Sequence, residues 1–187
     1  MQDTPQAPDT HGLRFRVADA GDRPAIVALL NAAYRGDSSR AGWTTEADLL
    51  GGQRTDADEV GALIAAPDSR FLLGLDGPAL VGCVHLARDR HAAWLGMFAI
   101  QPGLQGKGLG RRFLEAAEDR VRKWWGSTCM RMSVISLREE LIGYYERRGY
   151  RRTGETVPFP VDDPRFGIPR VETLEFAILE KSLAPHA

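Results

Sequence analysis

The sequence predicts one domain of mixed α/β class, and three observations carry that expectation. The elements run strand, two or three helices, three strands, helix, strand, helix, two strands, with no internal repeat and no low-complexity linker. One mid-chain strand, Trp94 to Ile100, is apolar on both faces, as a central buried strand should be. That strand runs directly into a Gly-rich loop that opens the longest amphipathic helix. The chain has 187 residues, 43% of them hydrophobic, which suffices for one sizeable core.

The elements follow in order. Met1 to Gly12 is polar and Pro-containing, and is expected to be a disordered tail ahead of a single domain spanning 13–187. Leu13 to Ala18 alternates apolar and polar residues, as a strand does. Asp19, Asp22 and Pro24 mark a helix start, and Ile26, Leu29, Leu30 and Ala33 form its apolar face. A loop from Gly36 to Gly42 precedes a short helix, capped at Thr44 or Thr45 and running through Leu50. Asp56 to Ala66 is a further helix, stopped by Pro67. Phe71 to Leu75 and Leu80 to Leu86 form a hairpin around Asp76-Gly77-Pro78.

Leu109, Phe113, Ala116, Ala117, Val121 and Trp124 keep helical spacing up to Gly126. Glu118 and Arg122 are expected on its solvated face as an i,i+4 pair. Cys129 to Ser136 is a strand, and Arg138 to Arg148 a short helix closed by Gly149. Arg151 to Val157 is a strand, and a Pro-rich loop leads to a final strand at Val171 to Leu179.

Composition excludes several classes. A formal net charge of -1 and the lack of a recognised motif argue against a nucleic-acid partner. No apolar run approaches the length that crosses a membrane, and the N-terminus lacks the apolar core of a signal peptide. A cytoplasmic location is expected. The two cysteines, Cys83 and Cys129, lie in apolar strand-like runs and read as buried thiols; neither they nor their neighbours suggest a metal site.

The stretch I-Q-P-G-L-Q-G-K-G-L-G-R, Ile100 to Arg111, carries the chemistry. Three glycines, Gly106, Gly108 and Gly110, alternate through it. They let backbone N–H groups approach a ligand closely, and the helix start adds unpaired N–H groups and a positive dipole end. Such a loop holds a phosphate or pyrophosphate. It is not a Walker A loop, because no G-K-[ST] ends it. It is not a dinucleotide fingerprint either, because the next strand, C-M-R-M-S-V-I-S, has no acid. Taken alone, the glycines also fit a helix start that merely packs tightly.

The same stretch resembles the acyl-CoA loop of GNAT acetyltransferases, Q/R-x-x-G-x-G/A after a strand ending V/I-x-P: Gln105, Gly108 and Gly110 fill the loop, and Ile100 and Pro102 the approach. A second match, Y-Y-E-R-R-G-Y at Tyr144 to Tyr150, resembles the family's Y-x-x-x-G-[FY] helix end. The resemblance implies a fold of about seven strands and four helices, with the fourth and fifth strands splayed. It implies acetyl-CoA as co-substrate, a small-molecule or peptide amine as acceptor, and a homodimer. The backbone of Phe98, Ala99 and Ile100 would receive the pantetheine arm. The pyrophosphate would rest on Gly106, Lys107, Gly108, Leu109, Gly110 and Arg111, with Gln105 in the loop.

Family position gives Tyr145 the role of proton donor to the departing thiolate; a phenol, pKa about 10, stays protonated where a thiol of ~8.5 leaves. The alternative is that Tyr145 is a packed core aromatic, with Tyr144 taking the role if the helix is rotated. Some relatives place a Glu where this chain has Ser133, and an Asn where it has Arg138, so the familiar base is missing. His85 and Glu46 are candidate substitutes, although the plainer and preferred readings are a satisfied, partly buried histidine and a first-turn helix acid. Trp43, in the segment Tyr34 to Thr45, and the loop Val157 to Arg170 with Phe159, Asp162, Asp163 and Phe166 are candidate acceptor contacts or plain surface loops. A non-catalytic acyl-CoA-binding domain is the alternative function.

Overall fold

A computed structural model of the chain describes residues 12–35, 39, 45–90, 92–161 and 167–184. The main sheet has seven strands: β1 Leu13–Val17, β2 Ser69–Asp76, β3 Ala79–Asp89, β4 Ala92–Ile100, β5 Cys129–Ile135, β6 Arg151–Pro158 and β7 Glu175–Ser182. Among the described residues four helices accompany them: α1 Arg23–Tyr34, α2 Ala57–Ala65, α3 Leu109–Trp125 and α4 Glu139–Glu146. The spatial order is β1-β2-β3-β4-β5-β7-β6. Every neighbouring pair is antiparallel except β4 and β5, which run parallel. The strand that reads as apolar on both faces, β4, is the central one.

Alternation along the strands feeds two cores. Phe71, Leu73, Cys83, Met97 and Ala99 pack with Ile26, Leu30 and Val60 of α1 and α2. Leu72, Val84, Leu86, Leu95, Phe98 and Ile100 pack on the other face with Phe113, Ala117 and Val121 of α3 and Ile142 and Tyr145 of α4. The close approach of α3 depends on Gly74 and Gly82, where a Cβ would collide with the Phe113 ring. Sequence capping signals hold at α2, where Asp56 accepts from the Glu59 N–H at 2.8 Å. At the start of α1, Asp19 and Asp22 form a capping box around a short 3₁₀ turn.

Three local expectations are corrected. The helix expected up to Leu50 is a single turn, with the Glu46 carbonyl accepting from both Leu49 and Leu50. Gly51 and Gly52 follow at once, Gly52 with φ +79°, and cannot extend a helix. Leu50–Gly51 instead pairs with Ile168–Pro169 as a two-residue ribbon.

The last strand begins at Glu175 rather than Val171, because β7 pairs with all of β5, from Cys129↔Ser182 to Ile135↔Phe176. Leu174 is left in a satellite core with Leu50, Ile135 and Phe159, so Phe159 is a core residue.

Glu118 does not lie on a solvated face. It is 6% exposed and holds Lys181 Nζ at 2.7 and 2.8 Å, while the Tyr150 hydroxyl donates to it at 3.1 Å. Arg122 donates to the Leu183 carbonyl instead. The solvated i,i+4 pairs of α3 are Arg111–Glu115 and Lys123–Asp119.

Candidate active site

The site forms where β4 and β5 part. Their ladder pairs Ala92↔Cys129, Ala93↔Met130 and Trp94↔Arg131, and then stops. From Leu95 onward β4 has no β5 partner among the described residues. A bulge in β4 sets what lines this gap. Gly96 opposes His85 and Ala99 opposes Cys83, so Met97 and Phe98 together face Val84. Met97 takes a left-handed φ of +45°. The extra residue reverses the side-chain phase, which turns Phe98 and Ile100 onto the α3–α4 face beside Leu95. At the bulge the Tyr34 hydroxyl donates to the Phe98 carbonyl at 2.7 Å.

Two cavities occupy the gap. The first, about 280 Å³, is lined by Phe98, Ile100, Gln105, Gly106, Gly108, Gly110, Arg111, Leu141, Tyr144, Tyr145 and Arg148. Gln105 donates to the Ile100 carbonyl at 3.2 Å and so ties the loop to the strand end. Gly106 and Gly108 have φ of +82° and +76°, and Gly108 caps α3. A Cβ at either would meet no protein atom within 4 Å. The loop is therefore an open cradle at a helix N-terminus, with two guanidinium groups nearby. That arrangement suits a pyrophosphate, and the apolar walls Phe98, Ile100 and Leu141 suit an extended aliphatic arm. Gly110 serves a different purpose, because a Cβ there would collide with the Tyr144 hydroxyl.

The second cavity, about 200 Å³, crosses the sheet to the α1 face. Tyr34, Glu46, Arg54, Gly96, Met132, Ser133, Val134, Arg138 and Phe176 contribute to it. Phe98, Leu141 and Tyr145 line both cavities and form their junction. Tyr145 is 6% exposed, and its hydroxyl has no hydrogen-bond partner among the described residues. Its ring meets Tyr144 at 5.3 Å and Tyr150 at 5.9 Å. Burial, reinforced by the neighbouring tyrosines, pushes its pKa well above the usual tyrosine range, so the phenol stays protonated. Tyr144 is also pushed up by burial, but it lines only the first cavity and lies under the Arg148 guanidinium.

The structure gathers Phe98, Ile100, Gln105, Gly106, Gly108, Gly110, Arg111 and Tyr145 around the first cavity. Ala99 and Leu109 are buried in the core, and Lys107 is exposed beside the loop; none of the three lines it. Glu46 lines the second cavity, where it is ion-paired to buried Arg35 at 2.6 Å.

His85 lines neither cavity. It shares a hydrogen bond with Ser69 at 2.7 Å and packs on Phe71, and burial lowers its pKa to about 4. Ser133 is exposed into the second cavity, so the gap lacks an acid there. Trp43, Asp162, Asp163 and Phe166 lie outside the described residues.

Sequence reading missed Arg54 and Arg148, and reached Tyr34 only as the first residue of the candidate acceptor segment Tyr34 to Thr45. Tyr34 stands four residues after buried Leu30 on α1, a spacing that could have revealed it. Arg54 carries no such signal, because it sits in the irregular segment before α2.

The acetyltransferase (GNAT) family model matches residues 24–150, and the chain belongs to that family. An IAA acetyltransferase of Azospirillum brasilense is 29% identical over 101 residues; the match spans 53% of this chain and 65% of that relative. A putative acetyltransferase of Salmonella typhimurium, solved with its cofactor acetyl-CoA, aligns over 94% of this chain and 96% of its own, with TM-score 0.68 and 22% identity. The ribosomal-protein-S18-alanine N-acetyltransferase of Escherichia coli aligns over the same shares with TM-score 0.67 and 14% identity. A spermidine/spermine N-acetyltransferase of Vibrio cholerae covers 92% of this chain and 93% of its own, with TM-score 0.66 and 18% identity. At these identities the three solved structures establish the shared fold.

Proposed function

We propose that the chain transfers the acetyl group of acetyl-CoA to a primary amine by direct attack on the thioester. The observation that carries this is the junction: one cavity holds the phosphate cradle, the other lies across the sheet, and Tyr145 borders both. Acetyl-CoA, when bound, supplies an acetyl group activated as a thioester. The amides of Gly106 to Arg111 would hold its pyrophosphate, and the free edge of β4 would align its pantetheine arm.

Tyr145 then delivers its proton to the departing sulfur as the new C–N bond forms and the C–S bond breaks. The attacking amine gives its own proton to solvent, and Tyr145 recovers one from there. Ser133 and Ser69-bound His85 offer no base in the cavity, and the Glu46 carboxylate is held by Arg35. Water is the base this geometry favours. The absence of an acid at Ser133 also supports the alternative of an acyl-CoA-binding domain without turnover.

Release of free CoA thiol from acetyl-CoA with a panel of primary amines separates the two. Turnover supports transfer; acetyl-CoA binding with no thiol release from any amine supports the binding domain. The cradle reading is checked by thermal shift, where acetyl-CoA near 100 times its Kd should stabilise the fold by about 2.7 kcal/mol and ATP or NAD should not.

Pairing of two chains would use β6, an edge strand exposed along all eight residues. A monomeric mass in light scattering would rule that out. The free thiols Cys83 and Cys129 support a reducing compartment, the cytoplasm. Fractionation placing the protein in an oxidising one would contradict this.

A further inference from the structure

Among the described residues, the side chains lining the second cavity carry an excess of positive charge. Its lining holds two guanidinium groups, Arg54 and Arg138, and one described acid, Glu46. That acid is already neutralised by Arg35 at 2.6 Å. Arg138 opens α4 and donates to the Thr45 carbonyl at 2.6 Å. Arg54 is half-buried, and its guanidinium lies 5.4 Å over the Tyr34 ring. Among the described residues no carboxylate reaches Arg54. The Tyr34 ring is, among the described residues, the side chain that faces this guanidinium; it offsets part of the lost hydration and leaves the N–H fork accessible to a ligand.

The segment bearing Arg54 is fixed in place. Asn31 of α1 accepts from the Arg54 backbone N–H at 2.7 Å and from that of Thr55 at 3.3 Å, and donates to the Thr55 carbonyl at 3.0 Å. Thr55 is buried and donates to Glu59 at 2.6 Å. The arginine therefore projects from a pre-organised segment, as a specificity group should.

Resting on the acetyl-transfer reading above, we infer that the acceptor is an amino acid: its carboxylate binds the Arg54 guanidinium while its amine reaches the junction at Tyr145. A planar guanidinium presents paired donors that match a carboxylate, which an uncharged amine does not use. A polyamine would bring several positive charges to a lining whose described side chains carry excess positive charge, and is disfavoured by the same geometry. Ser133 in the same lining adds no negative charge to reverse this balance.

The test uses matched acceptors that differ only in the anion: phenylalanine, phenylalaninamide and phenethylamine, with methionine and methioninamide as a second set and spermidine as a polycation. CoA thiol release is followed for the unaltered protein and for Arg54→Gln and Arg54→Lys, with unfolding midpoints and acetyl-CoA KM recorded for each. A hydrogen-bonded charge pair of this kind corresponds to roughly a 10–100-fold change in kcat/KM. The free amino acids should therefore exceed their amides and decarboxylated amines by that factor. Arg54→Gln should abolish the preference mainly by raising acceptor KM, with acetyl-CoA KM unmoved, and Arg54→Lys should restore part of it.

Turnover with equal efficiency on acids and amides, or a preference for spermidine, overturns the amino-acid inference and leaves acetyl transfer standing. A carboxylate preference that survives in folded Arg54→Gln overturns the assignment of the carboxylate to Arg54. Acetyl-CoA binding with no thiol release from any acceptor overturns both readings.

Discussion

Replacing Gly108 with valine separates the cradle's work for the ligand from its work for the fold. Gly108 has φ +76°, a conformation that costs an L-residue about 1–2 kcal/mol, somewhat more for a β-branched one. A Cβ there meets no protein atom within 4 Å, so no collision adds to that cost. For a domain of this size about 2–4 °C of Tm is lost per kcal/mol, which sets the expected fall at roughly 2–8 °C. The protein should still fold.

The valine side chain instead enters the space in which a pyrophosphate would contact the loop amides. Losing that approach should weaken acetyl-CoA at least tenfold, about 1.4 kcal/mol. Isothermal titration of acetyl-CoA into both proteins reads the affinity, and a thermal melt reads the fold. A folded Gly108→Val protein that binds acetyl-CoA as tightly as the parent refutes the cradle assignment. Loss of folding would refute the claim that the loop is open there.

Two further outcomes follow from buried polar groups. Removing the Glu118 carboxylate strands the Tyr150 hydroxyl in the core and leaves Lys181 without its partner, so Glu118→Ala should cost about 3 kcal/mol in urea unfolding, and Glu118→Gln less; a loss under about 0.5 kcal/mol would show that the triad is not coupled. His85 is held neutral, with its pKa lowered to about 4 from 6.5, so its contribution is intact above pH 6.5 and is lost as pH falls toward 4, at up to about 1.4 kcal/mol per pH unit. His85→Asn should flatten the stability profile between pH 6.5 and 4, and an unchanged slope would assign the acid sensitivity to other groups.

Much of this architecture is legible in the sequence because it is local. Alternation marks the strands, Asp56 marks the start of α2, and the double-sided apolarity of β4 marks its central place. The bulge at Met97 and Phe98 was hidden, because a run apolar on both faces shows no phase for an extra residue to break. Glu118 was misplaced on charge alone, although it stands four residues after buried Leu114 and so shares the core face of α3.

The loop and Tyr145 were legible as motifs. The second cavity was not, because it joins Tyr34, Arg54, Ser133 and Phe176 from four separate segments. No spacing rule links residues brought together only by the parting of β4 and β5. The two-residue ribbon after the turn at Glu46 is hidden likewise, because Leu50–Gly51 pairs with Ile168–Pro169 more than a hundred residues away.

Tyr145 borders both cavities, where a proton donor to the departing thiolate would have to stand. Tyr145→Phe removes one hydroxyl from the junction of the two cavities and keeps the ring that packs against Tyr144 and Tyr150. With acetyl-CoA and an accepted amine, kcat measured by thiol release should fall roughly 10²–10⁴-fold, with either KM and the unfolding midpoint little changed. Tyr144→Phe, measured beside it, should retain most of its rate. Full activity in Tyr145→Phe, or a comparable loss confined to Tyr144→Phe, would contradict the proton-donor role and return Tyr145 to the core.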